Sequence, residues 1–347
     1  MSLILGIESS CDETAAAVVR DGTDVLSNIV ASQDALHQEY GGVVPEIASR
    51  AHLERILPVI EQAVLEANIN QSDIDCIAVG NRPGLIGSLL VGVAAAKSLA
   101  WILGKPLVAV DHVLAHLAAP QLSGEKPSFP ALGIVVSGGH TSLLVLEDST
   151  TATCIGKTID DAAGEAFDKA ASILEMGWPG GRLIDKAAQL GTATTRLPRP
   201  RLKNKKCDFS FSGLKTALLY GVRGNPTKVD GKTVFPKTAF SLSEDERNNW
   251  ASSFQEAVVD TIMRGVKEAI ADTKFQSIIA GGGVLANSYL REQLHVVSKE
   301  KQIPLHLPEL SYCADNAAMV AGLGWHLYSK HQYADLELTA CPRGIAS

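Results

Sequence analysis

The order of apolar segments constrains this chain more than any other feature, because one six-element unit is written twice. LILGIE, TAAAVV and DVLSNIVA read as three strands joined by tight connections, with Asp21-Gly22 between the second and third. In PEIASRAHLERILPVIEQAVLEAN, residues Ile47, Ala51, Ile56, Val59, Ile60, Ala63, Val64 and Ala67 recur at helical spacing. IDCIAV is a strand, LIGSLLVGVAAAKSLAWILG a buried helix ending at Gly104, and LVAV another strand. The order then returns. ALGIVVSGG, TSLLVLE and ATCIGKT are three strands, and helical patterns cover 163–174, 182–190, 213–220 and 244–271. SIIAGG leads into a helix from Ala286, PLHLP is a last strand, and 316–328 a last helix, while 221–236 reads as a loop or flap. A duplicated βββ-α-β-α unit predicts an α/β fold of two similar lobes around a central cleft. The lobes are expected at 1–110, with 314–347 packing back on it, and at 111–313, with a helical insertion over about 163–271.

Composition limits what such a cleft serves. The net charge is -7, from 31 basic and 38 acidic residues, so nucleic acid would need a local basic patch on an acidic protein. The six cysteines are scattered without any C-x-x-C, which argues against a zinc ribbon or a disulfide scaffold and for a reducing compartment. The first residues carry acids where a signal peptide needs bases, and the best membrane candidate, 84–96, is too short to span about 20 helical residues. The expectation is a cytoplasmic protein that does not enter the membrane.

Both first-strand turns, 8–14 (ESSCDET) and 137–141 (SGGHT), are small and polar, so their N–H groups can approach an anion across the cleft. His112 and His116 stand four apart, on one face of a helix, and can bind one metal ion. Asp315, just before the last helix, is the favoured third ligand. Two histidines and one carboxylate leave positions open, as in iron and catalytic zinc centres. The residues between the histidines are apolar, so no metalloprotease base accompanies them.

Gly281-Gly282-Gly283-Val284-Leu285-Ala286-Asn287 follows a strand and opens a helix, and Glu300 lies further on; a dinucleotide-binding unit is a rival reading, and a nucleoside packed on the loop the safer one. Glu165 and Asp168 share a helical face that can point at the cleft, beside the Trp178-Pro179-Gly180-Gly181 turn. Arg196, Arg199, Arg201, Lys203, Lys205 and Lys206 concentrate positive charge just before Phe209 and Phe211, a candidate contact for an RNA backbone.

GIESSCDET, YGGVVPEIASR, PGLIGSLLVG, the H-x-x-x-H at 112–116, VSGGHT, DDAAGEAFDK, PGG, DFSFSGLKTA, AGGGVLAN and Asp315-Asn316 occur in the order of the TsaD family of bacterial type, and the chain resembles that family over nearly its whole length. The resemblance implies an actin-like, Hsp70-like (ASKHA) fold. It also implies transfer of a threonylcarbamoyl group from threonylcarbamoyl-AMP to N6 of adenosine 37 in tRNAs reading ANN codons. It implies one divalent ion, Fe(2+) or Zn(2+), on His112, His116 and Asp315, with Mg(2+) accompanying the nucleotide left open. The adenylate contacts fall by position on Val135, Val136, Ser137, Gly138, Gly139, Asp168, Gly181, Asp185 and Asn287. Glu13 is the candidate proton acceptor, and the basic stretch the candidate tRNA grip. Implied partners are tRNA, a TsaB-like paralogue and a TsaE-like ATPase, with a homodimer left open. Asp111, Arg82 and Arg182 depart from the family's usual pattern. The alternatives are a small-molecule kinase of the same fold and a non-catalytic scaffold subunit.

Overall fold

A computed structural model describes residues 1–202, 205–229 and 232–345. The chain opens with β1 (Leu3–Glu8), β2 (Glu13–Arg20), β3 (Asp24–Ser32), a short α1 (Asp34–His37), α2 (Pro45–Glu66), β4 (Cys76–Arg82), α3 (Ile86–Leu103) and β5 (Leu107–Asp111). α4 (His112–Ala118) leads to β6 (Ala131–Val136), β7 (Thr141–Leu146) and β8 (Ala152–Lys157). Then come α5 (Ala163–Ile173), α6 (Gly180–Leu190), α7 (Ser212–Arg223), the pair β9 (Thr227–Val229) and β10 (Lys232–Val234), and α8 (Glu244–Asp272). β11 (Ser277–Gly281), α9 (Ser288–Lys301), β12 (Leu305–His306) and α10 (Ala317–Ser329) complete it.

The two sheets carry the same order, β3-β2-β1-β4-β5 and, read from its other edge, β8-β7-β6-β11-β12. In each, three antiparallel strands continue into two parallel ones. β1, β4 and β6 are buried almost throughout, as their unbroken apolar runs require of strands covered on both faces. α2 and α3 cover the outer face of the first sheet, packing Ile56, Ile60, Val93 and Ala96 on Leu5, Ile7 and Ile77. α5, α6, α8 and α9 cover the outer face of the second. Between the sheets lie α4 and α10, whose Val113, Leu117, Val320 and Leu323 share one core with Ile4, Val108, Val135 and Leu144. Burying each such side chain contributes about 1.5–3 kcal/mol.

Two expectations need correction. α3 is apolar on every face, the pattern of a buried helix. It is instead one-third buried and exposes Leu90, Trp101 and Ile102, although at 18 residues it is long and apolar enough to cross a membrane by length and composition. The 221–236 loop is in part regular: α7 runs on to Arg223 and β9 pairs with β10.

The insertion is tied down by one carboxylate. Asp160 accepts from Ser210 Oγ at 2.6 Å, Ser212 Oγ at 2.8 Å and Phe211 N at 2.8 Å, fixing the start of α7 against the β8–α5 connection. Burial opposes its charge, but these donors outweigh it and hold the carboxyl below the usual aspartate range. Its contribution is therefore present above pH about 4 and lost as pH falls through the lowered value. Asp160→Asn is expected to cost about 2 kcal/mol in urea unfolding at pH 7, and the difference should shrink as pH falls below about 4; equal stability at pH 7 would refute the tie.

Candidate metal centre

The two central helices begin at the same place. Asp111 caps α4, its Oδ1 accepting from Val113 N at 3.0 Å and Leu114 N at 3.2 Å, so His112 opens the helix and His116 follows one turn later. Asn316 caps α10 by accepting from Met319 N at 3.0 Å, which leaves Asp315 just outside the helix. Asp315 Oδ1 stands 3.2 Å from His116 Nε2 and 3.5 Å from His112 Nε2. The imidazoles meet edge to face at 4.7 Å. These three ligand atoms lie within 4.8 Å of one another, a group that can hold a metal ion.

The donor set fits an ion. His116 is wholly buried, yet among the described residues neither ring nitrogen makes a well-formed hydrogen bond, the Asp315 contact included, an expensive state for an imidazole unless a cation takes it. His112 is held from behind: its Nδ1 lies 3.1 Å from Glu8 Oε2 and 3.2 Å from Ser10 Oγ. This is the carboxylate–histidine pairing that orients metal ligands. Without metal, burial would push the His112 imidazole down, but Glu8 and Asp315 outweigh it and raise it to about 10. Burial likewise opposes the charges of Glu8 and Asp315, and His112 overcomes it to hold both below the usual range. Glu8, buried at the end of β1, is a site residue that the sequence reading left inside a turn.

The first-lobe turn is built against helices. Ser9 Oγ donates to Ser88 O at 2.9 Å and Leu85 N to Ser10 O at 2.8 Å, locking the turn on the start of α3. His52, buried on α2, lies 2.8 Å from Thr14 Oγ1 and 3.0 Å from Cys11 O, so its Nε2–H donates to the carbonyl and its Nδ1 accepts the hydroxyl proton. Glu13 sits with Asp12 and Asp34 in a second acidic group. Burial, then Asp315 and Asp12, push its carboxyl well above the usual range, which runs against the expected role of proton acceptor.

On the second lobe, Ser137 N donates to His140 O at 2.7 Å and Ser137 Oγ accepts from His140 N at 3.1 Å, a closed turn that leaves Gly138 and Gly139 exposed. Val135 and Val136 are buried in β6 beneath it. Burial, then His112 and His116, lower His140 to about 4, placing it beside the centre as a neutral ring. A Cβ on Gly281 would strike the backbone of His116, and one on Gly282 that of Val136, so these glycines let β11 lie against both the metal helix and the turn. Gly281→Ala is expected to cost about 1–3 kcal/mol and to weaken metal retention; unaltered thermal unfolding and metal content would contradict it.

Asp168 and Gly181 come together, as do Asp185 and Asn287. Asp168 Oδ1 accepts from Gly180 N at 2.7 Å, and burial raises the carboxyl despite that bond. Asp185 Oδ1 accepts from Ser288 Oγ at 2.8 Å, and Asn287 caps α9 while donating to Gln255 at 2.6 Å. Three expectations change. Glu165 does not act with Asp168; it pairs with Lys169 at 2.7 Å. Glu300 lies in the last turn of α9, not at the end of the next strand, so the dinucleotide reading loses its ribose carboxylate. The basic run is partly neutralised: Arg199 pairs with Glu256 and Asp260, Arg201 with Glu268, and Lys205 with Asp208. Among the described residues Arg196 and Lys206 make no ion pair, while Lys203 lies outside the described residues.

Comparison with known proteins follows the same lines. The pattern of the TsaD family, described as tRNA N6-adenosine threonylcarbamoyltransferase, matches residues 24–322. The chain is 46% identical to the tRNA N6-adenosine threonylcarbamoyltransferase of Treponema denticola over 343 residues, which cover 98% of this chain and 96% of the relative. It is 47% identical to the protein of that name from Geobacillus thermodenitrificans over 342 residues, 98% of this chain and 95% of the relative. Among solved structures, its fold resembles that of HypF from T. kodakarensis with a TM-score of 0.61 at 14% identity, over 95% of this chain and 48% of that one.

Proposed function

The chain belongs to the TsaD family and is a tRNA N6-adenosine threonylcarbamoyltransferase of actin-like, Hsp70-like fold, and on that premise we propose that His112, His116 and Asp315 hold its divalent ion, Zn(2+) or Fe(2+). The observation that carries this is the buried His116 without a partner, facing Asp315. An ion held there supplies positive charge to orient the donor and to offset negative charge developing on it.

The adenine N6 is a weak nucleophile, because its lone pair is delocalised into the ring. Its attack on the carbamoyl carbon therefore needs an activated donor, the mixed anhydride with AMP: the N6–C bond forms as the C–O bond to the phosphate breaks, AMP leaves with that electron pair, and the N6 proton passes to solvent water. The exposed N–H groups of Gly138 and Gly139, over the Val135–Val136 strand end and Ser137, suit the phosphate. Asp168 and Asp185 are acceptors for hydroxyl groups, with Gly181 leaving open space beside them, and Asn287 borders the nucleoside. Glu13, expected as a proton acceptor, has a raised carboxyl that suits donating a proton there rather than accepting one. Mg(2+) accompanying the nucleotide would fall to the neighbouring acids Asp12 and Asp34. We take the lobes as 1–110 with 314–347, and 111–313, and place the protein in the cytoplasm with tRNA.

The exposed Leu53, Leu57, Leu90, Trp101 and Ile102 on α2 and α3 support a partner contact there, for which a TsaB-like paralogue is the first choice, or a second copy in a homodimer; a TsaE-like ATPase completes the set. The test is reconstitution with those partners, tRNA, threonine, bicarbonate and ATP, reading modified nucleoside after digestion of the tRNA. Modification that persists after stringent metal removal would overturn the metal reading. For the tRNA grip, Arg196→Ala and Lys206→Ala should each reduce the salt slope of tRNA binding by about 1. Arg199→Ala should instead lower stability, by about 1 kcal/mol, through its lost pairs with α8. An unchanged slope in the first two would place the tRNA elsewhere.

A further inference from the structure

α4 has only seven residues, and both of its ligands depend on where it starts. Among the described residues His116 makes no well-formed hydrogen bond, so its ring is aimed by the helix and by its contacts with Asp315 and His112. Short helices form at the mercy of their ends. The start of this one is a single buried carboxylate, Asp111, 5% exposed. Its Oδ1 takes the first free N–H groups of α4. Its Oδ2 faces the other way, accepting from Ile345 N at 3.0 Å and meeting Arg82 Nε at 3.4 Å. Arg82 reaches it because a shift of register after Gly80 sets Arg82 opposite Asp111 at the ends of β4 and β5.

Ile345 closes a strap. Ala334 N donates to Leu107 O at 2.8 Å and Cys341 N to Asn81 O at 2.9 Å. Asn81 Nδ2 donates to Thr339 O at 3.2 Å, and Lys97 Nζ on α3 to Leu338 O at 3.1 Å. The segment thus runs across β5, β4 and α3 and finishes on the carboxylate that caps the metal helix.

We infer that Asp111 is a positioning residue for the metal centre, held in place by Arg82 and by the 334–345 strap, so that the strap sets the geometry of His112 and His116 without touching either. The inference rests on the reading of those histidines as metal ligands. Arg82 and Asp111 are on this account one unit: a carboxylate at the cap brings a need for a cation, and the neighbouring strand end supplies it.

The test uses the full chain loaded with Zn(2+), its affinity read by competition with a chromophoric chelator, and with Co(2+), whose visible spectrum reports ligand geometry. Asp111→Ala should weaken Zn(2+) binding by about tenfold to a hundredfold and alter the Co(2+) bands. Asp111→Asn, which still caps the helix, should recover most of the loss. Ile345→Pro removes one N–H donor of the strap together with some apolar contact on the central core, and should weaken binding a few-fold; Ile345→Ala, which keeps the N–H, should leave binding unchanged and so separates the two losses. Unaltered affinity and spectrum in Asp111→Ala and Ile345→Pro would overturn the inference; should Asp111→Ala not fold, Ile345→Pro decides alone. Failure of the unsubstituted chain to bind one ion would instead overturn the metal reading itself.

Discussion

Replacing His116 by alanine is expected to lower threonylcarbamoyl transfer to tRNA by about 100-fold or more and to empty the metal centre. The imidazole is wholly buried and supplies one of three ligand atoms. Among the described residues it makes no well-formed hydrogen bond, so the stability cost is a small cavity plus the lost contact with Asp315, about 1–3 kcal/mol. That separation is the value of the variant. A histidine kept for packing would give the stability loss with normal metal content and normal modification, and that outcome would remove His116 from the centre.

The second large effect is expected from Glu8→Gln. The amide keeps the shape of the side chain and so the packing at the end of β1. It removes the charge that faces His112 Nδ1 at 3.1 Å. The ligand ring then loses its orienting carboxylate, and metal affinity should fall by about tenfold to a hundredfold, with activity falling in step. In the metal-free chain the same change leaves a buried imidazolium with Asp315 as its remaining carboxylate partner in the centre and should destabilise the fold by about 3 kcal/mol. Chelator competition on the loaded protein and urea unfolding of the stripped protein measure the two separately. Wild-type affinity in Glu8→Gln would mean that Ser10 Oγ alone orients the ring.

The repeat was legible because its evidence is local. Apolar runs of strand length, helical spacing and glycines where strand meets helix all lie within short windows. The histidine pair was legible for the same reason, since four-residue spacing fixes a shared face before any tertiary structure exists. Glu8 was missed although its signal was present: a carboxylate ends the run LILGIE, and a strand buried on both faces does not keep a charge without a partner. The partner is 104 residues away, out of reach of any local pattern. The pairing within the basic run was out of reach for a related reason. Six like charges in sequence suggest a free surface, but the carboxylates of Glu256, Asp260 and Glu268 that pair with Arg199 and Arg201 come from α8, more than fifty residues on. α3 misled in the opposite direction. An all-round apolar helix reads as interior, yet α3 lies on the outer face of the sheet and keeps Leu90, Trp101 and Ile102 exposed.

The chain crosses between its halves twice, outward through α4 after β5 and back through 310–316 before α10. His112 and His116 lie on the first crossing and Asp315 on the second. A single ion bound to all three would rivet the two bridges together. Loading the site would then couple α4 to the start of α10, so that hydrogen exchange in both should slow together when metal is added.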